Sequence, residues 1–210
     1  YAGSTLSITR RLGAGQQLLM QDVLIIGTGM AATALANTLA GKARVTLIEK
    51  SRGFGGRMAT RRRDGFEFDH GAQFFTARSQ AFQQFLARPI ESACIEEWQP
   101  RLTTLEAGLA PYKREWFEPH FVAIPSMNSL CKESLKALEG SVTINLGREI
   151  GSLEKIDSGD AQCRWRVFAK QTDDQREVLG EFDWVLSTAP SAQTSTLFAN
   201  TDFSQLSRLH

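Results

Sequence analysis

Three small residues, Gly27, Gly29 and Ala32, have the spacing of a turn that holds a phosphate group. They follow an apolar run, Val23–Ile26, whose β-branched residues predict a strand buried on both faces. A helix that contains Ala32 is predicted directly after Gly29, over Met30–Leu39. Gly27 permits the sharp turn, Gly29 has no Cβ to collide with a pyrophosphate, and Ala32 permits close packing of helix on strand. The free amides and the positive dipole end of the helix would then face the phosphates.

An acidic residue ends the second predicted strand, Arg44–Ile48. Glu49 follows Gly27 by 22 residues, close to the about 20 expected for a carboxylate that binds a ribose 2′-hydroxyl. Because a carboxylate repels a 2′-phosphate, the pattern favours FAD or NAD over NADP. The alternative is a glycine turn in an unrelated α/β protein. The strand before the glycines, the helix after them and the acid in register favour the dinucleotide site.

A second glycine pair, Gly55-Gly56, is followed at once by Arg57. Adjacent glycines permit positive φ angles and close approach of the backbone to a ligand. Arg57 can reach the same pyrophosphate as a bidentate donor. A nicotinamide-binding unit does not need this arrangement, so it favours FAD. The alternative, a flexible loop with a solvated arginine, fits an isolated Gly-Gly-Arg better than one directly after the Glu49-Lys50 strand end.

The chain resembles the flavin-dependent amine oxidase superfamily, most closely its renalase-like branch. The resemblance implies non-covalently bound FAD and an α/β fold of the p-hydroxybenzoate-hydroxylase type. Such a fold has a Rossmann-like FAD-binding domain, a β-meander and an inserted α+β substrate domain. The similarity is dense over residues 22–78 and resumes at 122–138 and 183–190. It is carried by GTGMAAT (residues 27–33), IEKSRGFGGRMAT (48–60) and FDHGAQFFTAR (68–78).

The same resemblance implies further contacts with the cofactor. Ala31 matches a backbone contact to the pyrophosphate, Gly71 is small where the isoalloxazine lies flat, and Ile150 matches a backbone contact to the adenine. The turn at residues 187–190 matches one that passes under the pyrophosphate. The motifs and the resemblance together predict these cofactor-binding residues: Gly27, Gly29, Met30, Ala31, Ala32, Glu49, Lys50, Gly55, Gly56, Arg57, Gly71, Ala72, Gln73, Phe74, Ile150 and Ala189.

Composition excludes several classes of function. The formal net charge is +1, so bulk electrostatics do not favour nucleic acid or anionic membranes, and no apolar run approaches membrane-spanning length. The basic run Arg61–Arg63 is interpreted as a solvated loop or strand edge beside the cofactor phosphates. Three widely spaced cysteines, Cys94, Cys131 and Cys163, predict neither a metal site nor a disulfide framework, and fit a reducing cytoplasm.

The domain organisation follows from these motifs. Because Met20 directly precedes the first strand, residues 1–19 are expected to be a non-native or disordered leader. The FAD-binding domain is predicted over 20–80 and again, with the β-meander, over 126–200. Part of a substrate domain is predicted over 81–125. Residues 201–210 would begin a further segment, in which the superfamily carries a GD motif, so the chain is expected to be C-terminally truncated.

The remaining elements are predicted from periodicity and turn residues. A helix is expected over Ser79–Ala87, ended by Pro89, and strands of the substrate domain between residues 91 and 119. A second helix is expected over Leu130–Leu138, with Ser126 as its N-cap. The later strands are predicted at Val142–Leu146, and, as a meander, at Leu153–Ile156, Arg164–Ala169 and Glu181–Leu186.

In a flavoenzyme the flavin carries the chemistry and the protein orients it. The renalase-like branch implies a small hydride donor, an isomeric dihydronicotinamide of NAD(P), which reduces flavin N5, with O2 as acceptor and H2O2 as product. Its alternatives are oxidation of an amine, desaturation of a polyene, or an inactive FAD-binding fragment. The histidines His70, His120 and His210 form no constellation, so no catalytic side chain is assigned. Trp98 and Trp116 fit sheet packing or substrate contact.

Overall fold

The computed structural model describes residues 20–101, 103–113, 118–157, 163–170 and 176–201. The predicted leader, Trp116 and residues 202–210 lie outside the described residues, as do most of the turns that separate the predicted meander strands.

Four α-helices, eleven strands and a 3-10 helix at Gly56–Met58 are described in this part of the chain. The four helices are α1 (Met30–Leu39), α2 (Gln80–Glu91), α3 (Ser129–Lys136) and α4 (Ser191–Phe198). The strands are β1 (Asp22–Ile26), β2 (Arg44–Glu49), β3 (Thr60–Arg63), β4 (Phe66–Asp69), β5 (Ile95–Glu97), β6 (Phe121–Ala123), β7 (Val142–Leu146), β8 (Ile150–Asp157), β9 (Cys163–Ala169), β10 (Val178–Phe182) and β11 (Trp184–Ser187).

A four-stranded parallel sheet in the order β11-β1-β2-β7 forms the centre of the fold. The predicted strands at Val23, Arg44 and Val142 are confirmed, as is the helix Met30–Leu39. Leu24 and Ile25, neighbours on β1, are both fully buried, because each face of the sheet is covered. The predicted α/β class with a Rossmann-like arrangement is therefore correct.

The two faces of this sheet pack against different layers. On one face, Ile25 and Leu47 join Ala32 and Ala36 of α1, whose methyl groups bring the helix close to the strands. On the other face, Leu24, Ile26 and Ile48 pack against the antiparallel sheet β10-β9-β8, whose inward residues include Leu153 and Val167. Strand β1, which leads into the glycine turn, is thus held between two apolar layers.

The meander prediction is correct for β8 and β9 but wrong for Glu181–Leu186, which is not one strand. The chain leaves the meander after Phe182, and β11 then joins the parallel sheet beside β1. Asp183 fixes the change of sheet: its N–H donates to the carbonyl of Asp22, and its carboxylate accepts from the N–H of Asp22 and from Arg164. The hydrophobic pattern of Glu181–Leu186 does not show such a break.

Two helix predictions need correction. Pro89 was expected to end α2, yet the helix continues to Glu91. The proline lies in the last turn, where its missing N–H removes only one helical bond, and its carbonyl still accepts from Cys94 N–H. Ser126 is not the N-cap of α3: Asn128 holds that position, and the Ser126 hydroxyl is buried against the Asn128 side chain.

The aromatic side chains of the hairpin β3-β4 are largely exposed. In the hairpin β3-β4, Phe66 and Phe68 are 67% and 54% exposed, and they share a face with Arg61 and Arg63. The buried partners of this hairpin are polar instead, as described below. Among the described helices, none is long and apolar enough to cross a membrane.

Candidate functional site

The structure brings the two glycine motifs into direct contact. Gly29 and Gly55 form an isolated parallel β-bridge, and the N–H of Gly55 donates to the carbonyl of Thr28 at 3.1 Å. A Cβ on Gly56 would lie 3.3 Å from the Cα of Gly29. Residues 26 positions apart therefore form one continuous backbone surface at the N-terminus of α1, where no side chain caps the helix.

The reason for a glycine differs between positions 27 and 29. Gly27 has φ of +106°, and a Cβ there would lie 2.7 Å from Thr188 Oγ1, so the fold itself requires the glycine. Gly29 has φ of −79° and ψ of −176°, which any residue adopts. A Cβ on Gly29 would meet only Gly55 O at 3.6 Å and Gly56 Cα at 3.7 Å within the protein. The described fold does not require a glycine at this position.

Glu49 closes the glycine turn from the end of β2. Its carboxylate is buried and accepts from the N–H of Thr28 at 3.0 Å, the Thr28 hydroxyl at 3.2 Å and the N–H of Ser51 at 2.8 Å. An ionised carboxylate has about four acceptor positions, so these bonds leave room for a hydroxyl donor. Thr28 was not predicted as this partner, although its position between two glycines, 21 residues before the acid, indicates such a contact.

Gly71 joins the second motif through a backbone contact. A Cβ on Gly71 would lie 2.0 Å from the carbonyl oxygen of Arg57, so only glycine fits here. The same oxygen accepts from the N–H of Ala72 at 2.9 Å. Gly56, Arg57, His70, Gly71 and Ala72 line an open cleft of about 630 Å³.

Arg57 is the ionisable side chain best placed to bind an anion in this cleft. It is exposed, and within the described ranges it makes no ion pair with an acidic side chain. Two arginines of the neighbouring hairpin differ: Arg62 pairs with Glu67, and Arg63 with Asp64. A guanidinium that the protein does not neutralise is suited to bind phosphate.

A partly buried polar cluster precedes the cleft residues in the chain. The Asp69 carboxylate accepts from the Thr60 hydroxyl at 2.6 Å and from the N–H of Met127 at 3.1 Å. The Thr60 hydroxyl accepts in turn from the N–H of Asn128 at 3.4 Å, and the Cβ of Asn128 lies 3.0 Å from where a Cβ on Gly55 would stand. Asp69 thus ties the hairpin β3-β4 to the turn before α3, directly before the cleft residues. Sequence reasoning did not identify this role.

The other predicted site residues are spread around this centre. Ala31 is exposed and Ala32 buried in the first turns of α1, and Met30 is partly buried against the same core cluster as Ala72. Lys50 is turned towards α4, where its ammonium donates to the Gln193 side chain at 3.1 Å. Gln73 and Phe74 are exposed after Ala72, Ile150 is buried at the start of β8, and Ala189 is half-buried before α4.

The loop before Ile150 also lies beside Glu49. Arg148 N–H donates to the Glu49 carbonyl at 2.9 Å, and Gly147 N–H to the Ser51 carbonyl at 2.8 Å. A second cavity of about 540 Å³ lies near this loop, between β7 and β10. None of the predicted site residues lines it, so the cleft beside Arg57 remains the candidate site.

Two cysteines are buried and free, at positions 94 and 131. Burial raises the pKa of the Cys131 thiol to about 11, and it also raises that of Cys94. Both therefore stay protonated near neutral pH. The described part of the chain holds no cluster of three or more His, Cys, Asp or Glu side chains that could bind a metal.

Comparison with known proteins agrees with this geometry. Residues 25–89 match the family of NAD(P)-binding Rossmann-like domains. A structure from Exiguobacterium sp. 255-15, provisionally named a protoporphyrinogen oxidase, superposes with a TM-score of 0.59 at 14% identity, over 90% of this chain and 63% of that one. Wild-type putrescine oxidase bound to putrescine superposes with a TM-score of 0.60 at 15% identity, over 85% and 60% of the two chains.

This chain has the fold of these oxidases. It spans about 60% of the length of the solved structures it matches. At such identities the likeness establishes the fold, and the matched Rossmann-like region contains both glycine motifs, Glu49 and the residues of the cleft.

Proposed function

We propose that the chain binds FAD non-covalently and belongs to an FAD-dependent oxidoreductase of the amine oxidase superfamily, in its renalase-like branch. The observation that carries the proposal is the junction of the two glycine loops beside Arg57. At this junction the backbone of Gly29 and Gly55 and the guanidinium of Arg57, which has no acidic partner among the described residues, lie near the start of α1. A pyrophosphate needs these groups, and a nicotinamide-binding turn alone does not need the second loop.

The residues present fit the cofactor. Gly29 is a glycine that the protein's own packing does not require, which agrees with space reserved for a ligand. Arg57 and the N-terminal amides of α1 would hold the pyrophosphate, and Glu49 would accept from the ribose hydroxyls. Gly71 and Ala72 would leave room for the flat ring system. Lys50, Gln73, Phe74, Ile150 and Ala189 are proposed to complete the contacts.

The bound cofactor would supply the redox chemistry, so that dihydronicotinamide, O2 and one proton yield the oxidised nicotinamide and H2O2. The protein's part is to bind and orient. Arg57 would neutralise phosphate charge, and the glycines would permit close backbone contact. Loss of hydride makes a dihydronicotinamide aromatic and releases no proton from carbon, so no catalytic base is needed. The donor is therefore proposed to be an isomeric dihydronicotinamide of NAD(P).

Amine oxidation is the second candidate, because the superposed putrescine oxidase was solved with putrescine. The ionisable side chains that line the described cleft are Arg57 and His70, and no carboxylate is among its lining residues. A buried ammonium needs an anionic partner, so this lining favours an uncharged or anionic donor.

The domain division at residues 20–80, 81–125 and 126–200 is proposed with this function. A cytoplasmic location is also proposed, which agrees with the free thiols of Cys94 and Cys131.

The alternative of an inactive FAD-binding fragment is tested by equilibrium dialysis of this chain with FAD. Micromolar or tighter binding supports a working cofactor domain, and absence of binding supports the fragment.

Replacement of Arg57 by Ala tests the cofactor assignment. We expect FAD retention through gel filtration to fall, because a bidentate phosphate contact contributes about 1.5–3 kcal/mol, or about 10–150-fold in Kd. Arg88→Ala, an exposed arginine on α2, is the matched control. An Arg57→Ala protein as yellow as the control would contradict the assignment.

Anaerobic addition of donors tests the activity. Isomeric dihydronicotinamides of NAD(P) are expected to bleach the flavin absorbance of the purified, FAD-loaded protein, whereas putrescine is expected to leave it unchanged. Bleaching by putrescine alone would move the assignment to the amine oxidases.

A further inference from the structure

The hairpin β3-β4 exposes two phenylalanines that the described core does not use. Phe66 is 67% and Phe68 54% exposed, and neither belongs to a hydrophobic cluster of the described core. Their ring centroids lie 6.3 Å apart at an interplanar angle of 42°. Contiguous exposed apolar side chains mark a surface that contacts a ligand or a partner more often than isolated ones do.

Two arginines lie on the same face of the hairpin as these rings. The antiparallel register places Arg61 opposite Phe68 and Arg63 opposite Phe66, and directly opposite residues share a face. Both arginines are exposed. We call Arg61, Arg63, Phe66 and Phe68 the hairpin face.

The positive charge of the hairpin face is only weakly neutralised within the described residues. Arg61 makes no ion pair there with an acidic side chain. Arg63 pairs with Asp64 at 3.3 Å, but the two side chains are 74% and 81% exposed. Because so exposed a pair contributes little, it does not prevent Arg63 from binding another anion.

The other carboxylates of the hairpin are engaged on its opposite face. Glu67 pairs with Arg62 at 2.8 Å, and this pairing lowers the pKa of the Glu67 carboxyl. The Asp69 carboxylate accepts from the Thr60 hydroxyl and from the N–H of Met127. Alternation along the two strands therefore gives the hairpin one side attached to the fold and one side that presents cations and aromatic rings.

The hairpin face adjoins the cleft of the proposed cofactor site. Strand β3 begins three residues after Arg57, β4 ends directly before His70, and both of these residues line the cleft. The pair Arg61 and Phe68 lies nearer to the cleft, and the other pair lies beside the turn. At about 3.4 Å per residue, the face runs from the cleft for about 10 Å.

The groups on the hairpin face match the adenosine diphosphate part of a nucleotide. Arg61 and Arg63 are two residues apart on one strand, so their Cα atoms are about 7 Å apart and both long side chains can reach one pyrophosphate. Exposed phenyl rings stack with a flat base such as adenine. A second copy of this face is disfavoured as the occupant, because its contact would bring four arginines together.

We propose that the hairpin face binds the adenosine diphosphate part of a nicotinamide dinucleotide donor, whose nicotinamide ring enters the cleft. Arg61 and Arg63 would bind the pyrophosphate, and Phe66 and Phe68 would contact the adenine. This inference rests on the proposed function and assigns to it the residues that favour a dinucleotide over donors without phosphate, such as an aliphatic amine.

The test is a binding titration that does not depend on turnover. ADP-ribose, which has the adenine and both phosphates but no nicotinamide, is added to the FAD-loaded protein, and its Kd is measured by calorimetry. Because FAD fills the dinucleotide site, the titration reports a second site. Arg61→Gln and Arg63→Gln are each expected to raise this Kd about two- to fivefold, the loss of one exposed ion pair. Phe66→Leu and Phe68→Leu are each expected to raise it about two- to tenfold.

Arg62→Gln is the matched control, because it removes the same charge from the opposite face of the same hairpin. Its Kd for ADP-ribose is expected to stay within about twofold of wild type. Phe66→Tyr, which keeps the aromatic ring, is expected to do the same. The visible absorbance of each protein before and after the titration reports whether it is folded and has kept its FAD.

Equal Kd values for ADP-ribose in the four hairpin-face variants and in Arg62→Gln would overturn the inference, as would the absence of ADP-ribose binding to the wild type. Sedimentation with phosphatidylglycerol vesicles identifies the competing occupant. If Phe66→Leu abolishes sedimentation of the protein but leaves the Kd for ADP-ribose unchanged, the face binds an anionic lipid surface instead.

Failure of the inference is distinguishable from failure of the proposed function. If dihydronicotinamides bleach the wild-type flavin but the hairpin-face variants bind ADP-ribose as Arg62→Gln does, the inference is wrong and the proposed function stands. If no dihydronicotinamide isomer bleaches the loaded wild-type protein, the proposed function fails, and the inference with it.

Discussion

The substitution Gly29→Ala tests whether the glycine at this position is required by the ligand or by the fold. The backbone angles at Gly29, φ −79° and ψ −176°, are open to alanine. The new Cβ would lie 3.6 Å from Gly55 O and 3.7 Å from Gly56 Cα, which are ordinary van der Waals distances. The FAD-free protein therefore has no steric reason to lose stability. Restriction of the unfolded chain would even add about 0.4–1 kcal/mol to its free energy of unfolding.

The FAD complex should respond in the opposite direction. If the pyrophosphate lies against the backbone of Gly29, the added methyl group overpacks that contact, at a cost of about 1–3 kcal/mol. The Kd for FAD would then rise about 5–150-fold. The FAD-dependent rise in Tm would shrink in step, because a ligand stabilises the native state according to its concentration relative to Kd.

The assay compares urea unfolding of the FAD-free proteins with FAD binding by equilibrium dialysis. Gly53→Ala is the matched control, because a Cβ there meets nothing within 4 Å and its φ lies outside the left-handed region. A Gly29→Ala protein that binds FAD as tightly as Gly53→Ala would refute the placement of the pyrophosphate. A protein that loses several kcal/mol without FAD would refute the separation of fold from ligand.

Three further substitutions test the frame around the cleft. Gly71→Ala places a Cβ 2.0 Å from the Arg57 carbonyl oxygen and strains the hydrogen bond that the Ala72 N–H donates to it. The free energy of unfolding of the FAD-free protein in urea should therefore fall by about 2–4 kcal/mol. Unchanged stability would contradict the contact. Glu49→Gln replaces one acceptor oxygen by a donor, so a buried N–H or hydroxyl loses its partner. We expect the free energy of unfolding in urea to fall by about 1–3 kcal/mol and FAD binding to weaken. Wild-type values for both would count against the assignment. The pKa of the Cys131 thiol is raised from 9.0 to about 11, so the stabilisation that this thiol contributes is complete below pH 9 and is lost as the pH rises towards 11. The free energy of unfolding should therefore fall less over this pH range in Cys131→Ala than in the wild type. Equal slopes in the two proteins would refute the buried thiol.

The local pattern was sufficient to predict the first βαβ unit. Helix α1 begins and ends at the predicted residues, and Glu49 ends β2 as expected. Apolar period, small residues at the helix–strand contact and a glycine turn act over a few residues, so a sequence shows them directly. The parallel strand β7 was predicted on the same basis.

The sequence was less informative where distant segments decide the structure. The change of sheet at Asp183 depends on Asp22, which is 161 residues away in the chain, and on Arg164, which is 19 residues away. The continuation of α2 through Pro89 and the burial of Ser126 likewise depend on what packs around them. The hydrophobic periodicity of a sequence does not report such long-range contacts.

The sequence by itself determined that two glycine motifs, an acid and an arginine stand in the order of a dinucleotide site, because backbone freedom and charge are properties of single residues. Only the tertiary structure decided that Gly29 meets Gly55 and that Gly71 fits under the Arg57 carbonyl. It also decided that the rings of Trp98 and His120 contact that of Phe74. These contacts join segments far apart in the chain, and their distances are set by the packing of whole layers.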